Sequence, residues 1–125
     1  MYSYVIGQDT DDIVKKLNTS VPKFRDFTFV NSPVSTKSSK SLIAKSAFVL
    51  VIFHEDYQYD RVFMEEINTA IKSKLPVYVI FKSKYNIFNF DCEYTSLTSQ
   101  DYDSIKDKDG YINRIVTQLM LEYDV

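Results

Sequence analysis

A chain of 125 residues is long enough for one domain and too short for two ordinary ones, and at that size folding buries roughly two-thirds of the surface the unfolded chain exposes, so a core forms without staples. Hydrophobic residues at 45% and charged residues at 26% exclude an intrinsically disordered chain, and a net charge of -2 leaves no basic field to collect nucleic acid or an anionic membrane. One cysteine (Cys92), one histidine (His54) and two glycines (Gly7 and Gly110) exclude a disulfide scaffold, a multi-histidine metal site and a glycine-rich phosphate loop.

Tyr2 to Ile6 reads as a strand, β-branched and aromatic, ended by Gly7. Asp9, Thr10, Asp11 and Asp12 supply N-cap candidates and first-turn acids, and Ile13, Val14 and Leu17 fall at helical spacing. A helix is therefore predicted over about 11–18. Asp26 to Val30 is a second strand. Residues 31–41, rich in Ser and Lys and containing Pro33, have no apolar period and are predicted to be a loop. Leu42, Ile43 and Ala47 indicate a short helix leading into Phe48–Phe53. That run, FVLVIF, has no polar alternation and marks a strand buried on both faces.

His54 to Asp60 is predicted as a polar loop. Val62, Phe63 or Met64, Ile67, Ala70 and Ile71 then set a helix over about 61–74, closed by Pro76. Val77–Phe81 (VYVIF) is another apolar strand. Residues 82–109 are irregular, with one short strand expected near Tyr94–Leu97. Tyr111–Tyr123 closes the chain as an amphipathic helix with Ile112, Ile115, Val116, Leu119 and Met120 on its stripe.

Alternating apolar strands and helices imply a single domain over 1–125. The fold class is α/β, with a mostly parallel sheet of four or five strands covered on both faces in a flavodoxin-like, doubly wound sandwich. Ligands in such sheets bind beyond the carboxyl ends of the strands. Those ends are Gly7-Gln8-Asp9, residues 31–35, His54–Tyr57 and the segment after Phe81. The N-terminal residues have neither a basic start nor a long apolar run, and the longest apolar stretch is far short of a membrane span. A cytoplasmic protein without membrane or nucleic-acid partners is the expectation.

The segment from Ser41 to Ile80 has a distinctive order: a helix, a buried strand, a short polar loop, a helix bearing Glu66-Ile67-x-x-Ala70, then Leu75-Pro76 and a second buried strand. This pattern, with the opening YVIGQDTDDIVKKL, resembles the TIR domain family, in particular the short TIR-like proteins of bacterial Thoeris antiphage systems. The resemblance covers residues 1–81 well and the rest loosely. It implies cleavage of NAD+ as substrate, with no separate cofactor and no metal. Hydrolysis and cyclisation to a signalling ADP-ribose isomer are both open, and a separate effector protein would sense the product. Glu66 takes the place of the family's catalytic glutamate. The 31–41 loop takes the place of the loop that borders the substrate and mediates self-association. Gly7, Gln8, Asp9, Ser35, Lys37, Phe53, His54 and Val62 are expected to border the substrate.

Elementary chemistry supports a carboxylate in that role. Breaking an N-glycosidic bond builds positive charge on the ribose C1, which a carboxylate stabilises while it bonds the ribose hydroxyls. The leaving nicotinamide is already cationic, so no strong general acid is needed. Glu66 stands one turn after Val62 and one turn before Ala70, beside the apolar stripe. Glu65 points about a quarter turn away, toward solvent.

The pattern also departs from the family's. Val62 stands where many members carry Trp, Gly7 and Gln8 stand where Ser and Tyr are usual, and the 31–41 loop has no glycine. These departures keep a non-enzymatic interaction module open as an alternative. Ten Tyr and nine Phe offer other stacking faces, although core packing is the commoner use of such rings. Nucleoside 2-deoxyribosyltransferases place a nucleophilic glutamate in a similar setting, but Asn68 replaces the glycine usual there. A phosphoacceptor receiver domain would need an Asp where the third strand ends, and this chain has Phe53-His54-Glu55. Cys92 reads as a spectator thiol.

Overall fold

The computed structural model describes residues 1–31, 36–84, 88–97 and 101–123, leaving aside the side chains of residues 36–38 and 58. Five strands form one sheet: β1 (Tyr2–Ile6), β2 (Thr28–Val30), β3 (Val49–Phe53), β4 (Val77–Phe81) and β5 (Thr95–Ser96). Their order is β2-β1-β3-β4-β5 and every pairing is parallel. β3 and β4 pair along their full lengths, from Val49↔Val77 to Phe53↔Phe81. Both are buried at every residue, as the unbroken apolar runs required.

Four helices cover the sheet: α1 (Asp11–Ser20), α2 (Thr36–Ala44), α3 (Arg61–Lys72) and α4 (Lys108–Tyr123). The alternation of side chains along each strand divides the core in two. Val5, Leu50, Ile52, Tyr78 and Ile80 pack with α1 and α4 on one face. Tyr4, Ile6, Val49, Val51, Phe53, Val77, Val79 and Phe81 pack with Ile43 of α2 and with Phe63, Ile67 and Ala70 of α3 on the other. This is the doubly wound, flavodoxin-like arrangement. The crossovers leave β1 and β3 toward opposite faces, so their carboxyl ends form the switch point of the sheet.

Local chemistry fixes the ends of the elements. Asp11 and Asp12 sit in the first turn of α1, where the helix dipole favours acids. Asp60 caps α3, its Oδ2 accepting from the Phe63 N–H at 2.8 Å. Asn31 ties the end of β2 to β1, donating to the Val5 carbonyl at 2.9 Å and to the Thr10 hydroxyl at 2.8 Å.

The largest difference from the sequence reading is α2. Thr36–Ser41, expected within a loop, are helical. A stretch of Ser, Thr and Lys has no apolar stripe to announce a helix. Among its described side chains this one is held by burial of Ile43 and Ser39, with Leu42 packed partly buried against the same core. The predicted loop 54–60 also contains a 3₁₀ turn, Glu55–Tyr59. β2 begins at Thr28 rather than Asp26, and α4 begins at Lys108, three residues before Tyr111.

Gly7 closes β1 where the chain passes against β3. A Cβ there would lie 2.9 Å from the Ile52 carbonyl oxygen and 2.9 Å from Thr10 Cγ2, and its φ is 159°. The Ile52 oxygen belongs to the central strand and cannot retreat. Gly7→Ala is therefore expected to cost about 1–3 kcal/mol of stability, the range for overpacking in a fixed core. Urea unfolding checks this, and an unchanged midpoint would remove the steric account.

Candidate functional site

Among the described residues Glu66 is the only buried acid. It lies in the second turn of α3, on the same side as Phe63, Ile67 and Ala70, at 7% exposure. The Tyr4 hydroxyl of β1 donates to Glu66 Oε2 at 2.5 Å. A second hydroxyl, from Ser39 of α2, also bonds the carboxylate. Three elements thus meet at one carboxyl group: the second strand from the sheet edge, the helix after β2 and the helix after β3.

Burial pushes the Glu66 carboxyl up from its ordinary value of 4.5, because the charged form loses water. The Tyr4 and Ser39 hydroxyls pull the other way by bonding the carboxylate, and the nearby Asp60 charge pushes up again. Desolvation is the largest of these effects. A carboxylate of this kind accepts a proton readily and interacts strongly with any positive charge that reaches it.

The strand ends above it are organised by side chains of the β3–α3 connection. Tyr57 is buried and donates through its hydroxyl to the Gln8 carbonyl at 3.1 Å, tying the β1–α1 turn to the β3–α3 turn. His54 Nδ1 accepts from the Asp56 N–H at 3.1 Å, so a neutral ring carries its proton on Nε2. Glu55 accepts from the Ser83 hydroxyl at 2.5 Å, and this bond draws its carboxyl below the usual value. Asp9 is exposed in the β1–α1 turn with φ 51°, a conformation Asp tolerates.

The residues expected to border a substrate are thus distributed unevenly. Gly7, Gln8, Asp9 and His54 do lie at the carboxyl ends of β1 and β3. Val62 is 49% exposed in the first turn of α3. Phe53, by contrast, is fully buried and faces no opening. Its ring packs among Phe63, Phe81, Phe88 and Phe90, with centroids 5.4–6.5 Å away. The last residue of a strand borders a cleft only if its side chain is left uncovered, and here Phe88 and Phe90 cover it. Ser35 and the side chain of Lys37 lie outside the described residues.

Two partners of Glu66 escaped the sequence reading. Tyr4 looked like any strand aromatic, and Ser39 stood in what read as a loop. Only the parity of β1, which puts Tyr4 and Ile6 on the α3 face, hinted at the first. Cys92 is half-buried, with its thiol pushed up by burial and by Asp91. No group of three His, Cys, Asp or Glu side chains is placed to hold a metal ion among the described residues. None of the described helices is long and apolar enough to cross a membrane. Comparison with family models, with curated proteins and with solved structures finds no match for this chain.

Proposed function

We propose that this chain is a TIR-like domain that cleaves NAD+, with Glu66 as the catalytic carboxylate. One observation carries the reading: the glutamate of the Glu-Ile-x-x-Ala motif is the buried acid of the described fold, and it is braced by hydroxyls from β1 and α2. An acid with no task on a helix normally faces water.

In the reaction the bond between ribose C1 and the nicotinamide nitrogen breaks, and its electron pair leaves with neutral nicotinamide. The cationic carbon is stabilised by the ionised Glu66 carboxylate. In hydrolysis a water oxygen adds to that carbon and its proton passes to solvent. In cyclisation a hydroxyl or ring nitrogen of the same ADP-ribose takes the water's place. The segment 31–41 is the proposed self-association surface. A separate effector would receive the product, in a cytoplasmic antiphage-defence setting. The alternative is a non-enzymatic TIR-like interaction module, and a further alternative, transfer of 2-deoxyribose between bases, uses the same carboxylate on a different nucleoside.

The test is NAD+ consumption at high protein concentration, followed by mass spectrometry, for the wild type and Glu66→Gln. Loss of NAD+ with the wild type alone, giving ADP-ribose or its cyclic isomer, is the expected result. Equal consumption by both proteins would remove Glu66 from the chemistry. Consumption by neither would overturn the NAD+ reading and leave the interaction module. A parallel incubation with a 2-deoxynucleoside and a free base identifies the transferase.

A further inference from the structure

We propose that Tyr4 is the positioning residue of Glu66: its hydroxyl anchors one oxygen of the carboxylate and aims the group. The inference rests on the reading of Glu66 as the working carboxylate. It is carried by the geometry of β1. The Tyr4 ring is 1% exposed and packed in the core between the sheet and α2/α3, so its hydroxyl has a fixed place. That hydroxyl lies 2.5 Å from Glu66 Oε2, within the short range of charge-assisted O–H···O⁻ bonds. The two residues are 62 apart in sequence, and the pairing of β1 with β3, whose crossover helix is α3, brings them together.

The groups facing the carboxyl are Tyr4 from β1, Ser39 from α2 and Asp60 at the start of α3. Desolvation and Asp60 both favour the neutral acid, while the two hydroxyls favour the anion. A neutral carboxyl cannot stabilise a developing cation. Tyr4 is therefore, with Ser39, what favours the anion of a deeply buried Glu66. A phenol suits this task because it stays protonated, and so remains a donor, throughout the range in which a carboxyl titrates. The carboxylate oxygen it engages is also fixed in direction, since neither the strand nor the helix can rotate independently.

The experiment pairs a substrate-free titration with kinetics, in wild type and Tyr4→Phe. The carboxyl carbon of Glu66 is followed by ¹³C NMR against pH, its resonance assigned by its absence in Glu66→Gln. Tyr4→Phe is expected to move the midpoint upward. It is also expected to lower kcat for NAD+ near neutral pH by about tenfold, with KM changed less than about twofold. The acid limb of the pH–rate profile should move up with the NMR midpoint. An unmoved or lowered midpoint overturns the proposal, as does a raised midpoint with unchanged kcat. A midpoint raised by Tyr4→Phe, when the wild type itself does not cleave NAD+, supports the Tyr4–Glu66 bond and overturns the NAD+ reading instead. If Tyr4→Phe does not fold, the wild type still decides. A downfield hydroxyl proton resonance lost in Glu66→Gln supports the bond, and its absence overturns it.

Discussion

Glu66→Gln should remove NAD+ cleavage and gain stability relative to the wild type as pH rises. The loss of turnover is expected to be on the order of a hundred- to a thousandfold or more, the scale for deleting a group aimed at developing charge. The stability effect has the opposite sign because the wild type buries an acid whose folded-state pKa is raised above its ordinary 4.5. Between those two values the folded state binds more protons than the unfolded one, so stability falls as pH rises. The favourable contribution of the neutral acid is thus fully present below about pH 4.5 and is lost as pH passes through the folded value. Glutamine has no such dependence. Urea unfolding of both proteins at about pH 4 and about pH 7 measures the widening gap. Any offset from the extra amide donor is the same at both pH values and drops out. A gap independent of pH would mean that Glu66 is not held with a raised pKa.

Phe53→Ala is expected to cost about 3–5 kcal/mol, the range for truncating a fully buried aromatic. Phe53 ends the central strand with no exposure, and four Phe rings surround it. Phe88 and Phe90 come from the irregular segment after β4, so the cavity would open where α3, β4 and that segment meet. Collapse of the neighbours is limited because Phe63 is fixed by α3 and Phe81 by its ladder with Phe53 itself. Chemical denaturation reads the effect, and a loss below about 1 kcal/mol would show that the segment closes over the gap. The substitution also separates packing from substrate contact: a border residue would alter KM with little change in stability.

The sheet was legible in the sequence because its central strands are apolar at every position. FVLVIF and VYVIF admit no exposed face, and the strand–helix alternation around them leaves few topologies. α3 was legible from the spacing of Phe63, Ile67 and Ala70, and Glu66 could be placed beside that stripe. Of α2 only the end was legible, through Leu42 and Ile43; its start was not, since a run of Ser, Thr and Lys leaves no hydrophobic period to read. For Phe53 the sequence carries the position in the strand and not the covering: Phe88 and Phe90 lie more than thirty residues away in a segment without pattern. Tyr4 and Ser39 were invisible for a related reason. A hydroxyl's partner depends on which elements become neighbours in space, and a single sequence carries that information only through the topology it implies.

α2 is the shortest of the four α-helices, and it is built from residues that favour helices weakly: Thr36, Ser38, Ser39 and Ser41 within nine positions. Yet it supplies one of the walls around Glu66. The shielding of the carboxylate is therefore entrusted to the helix with the least intrinsic persistence. Its amides should lose hydrogen-exchange protection before those of β3 and β4. Because Ser39 of this helix bonds the carboxylate, exchange at the α2 amides also reads how often that brace is released.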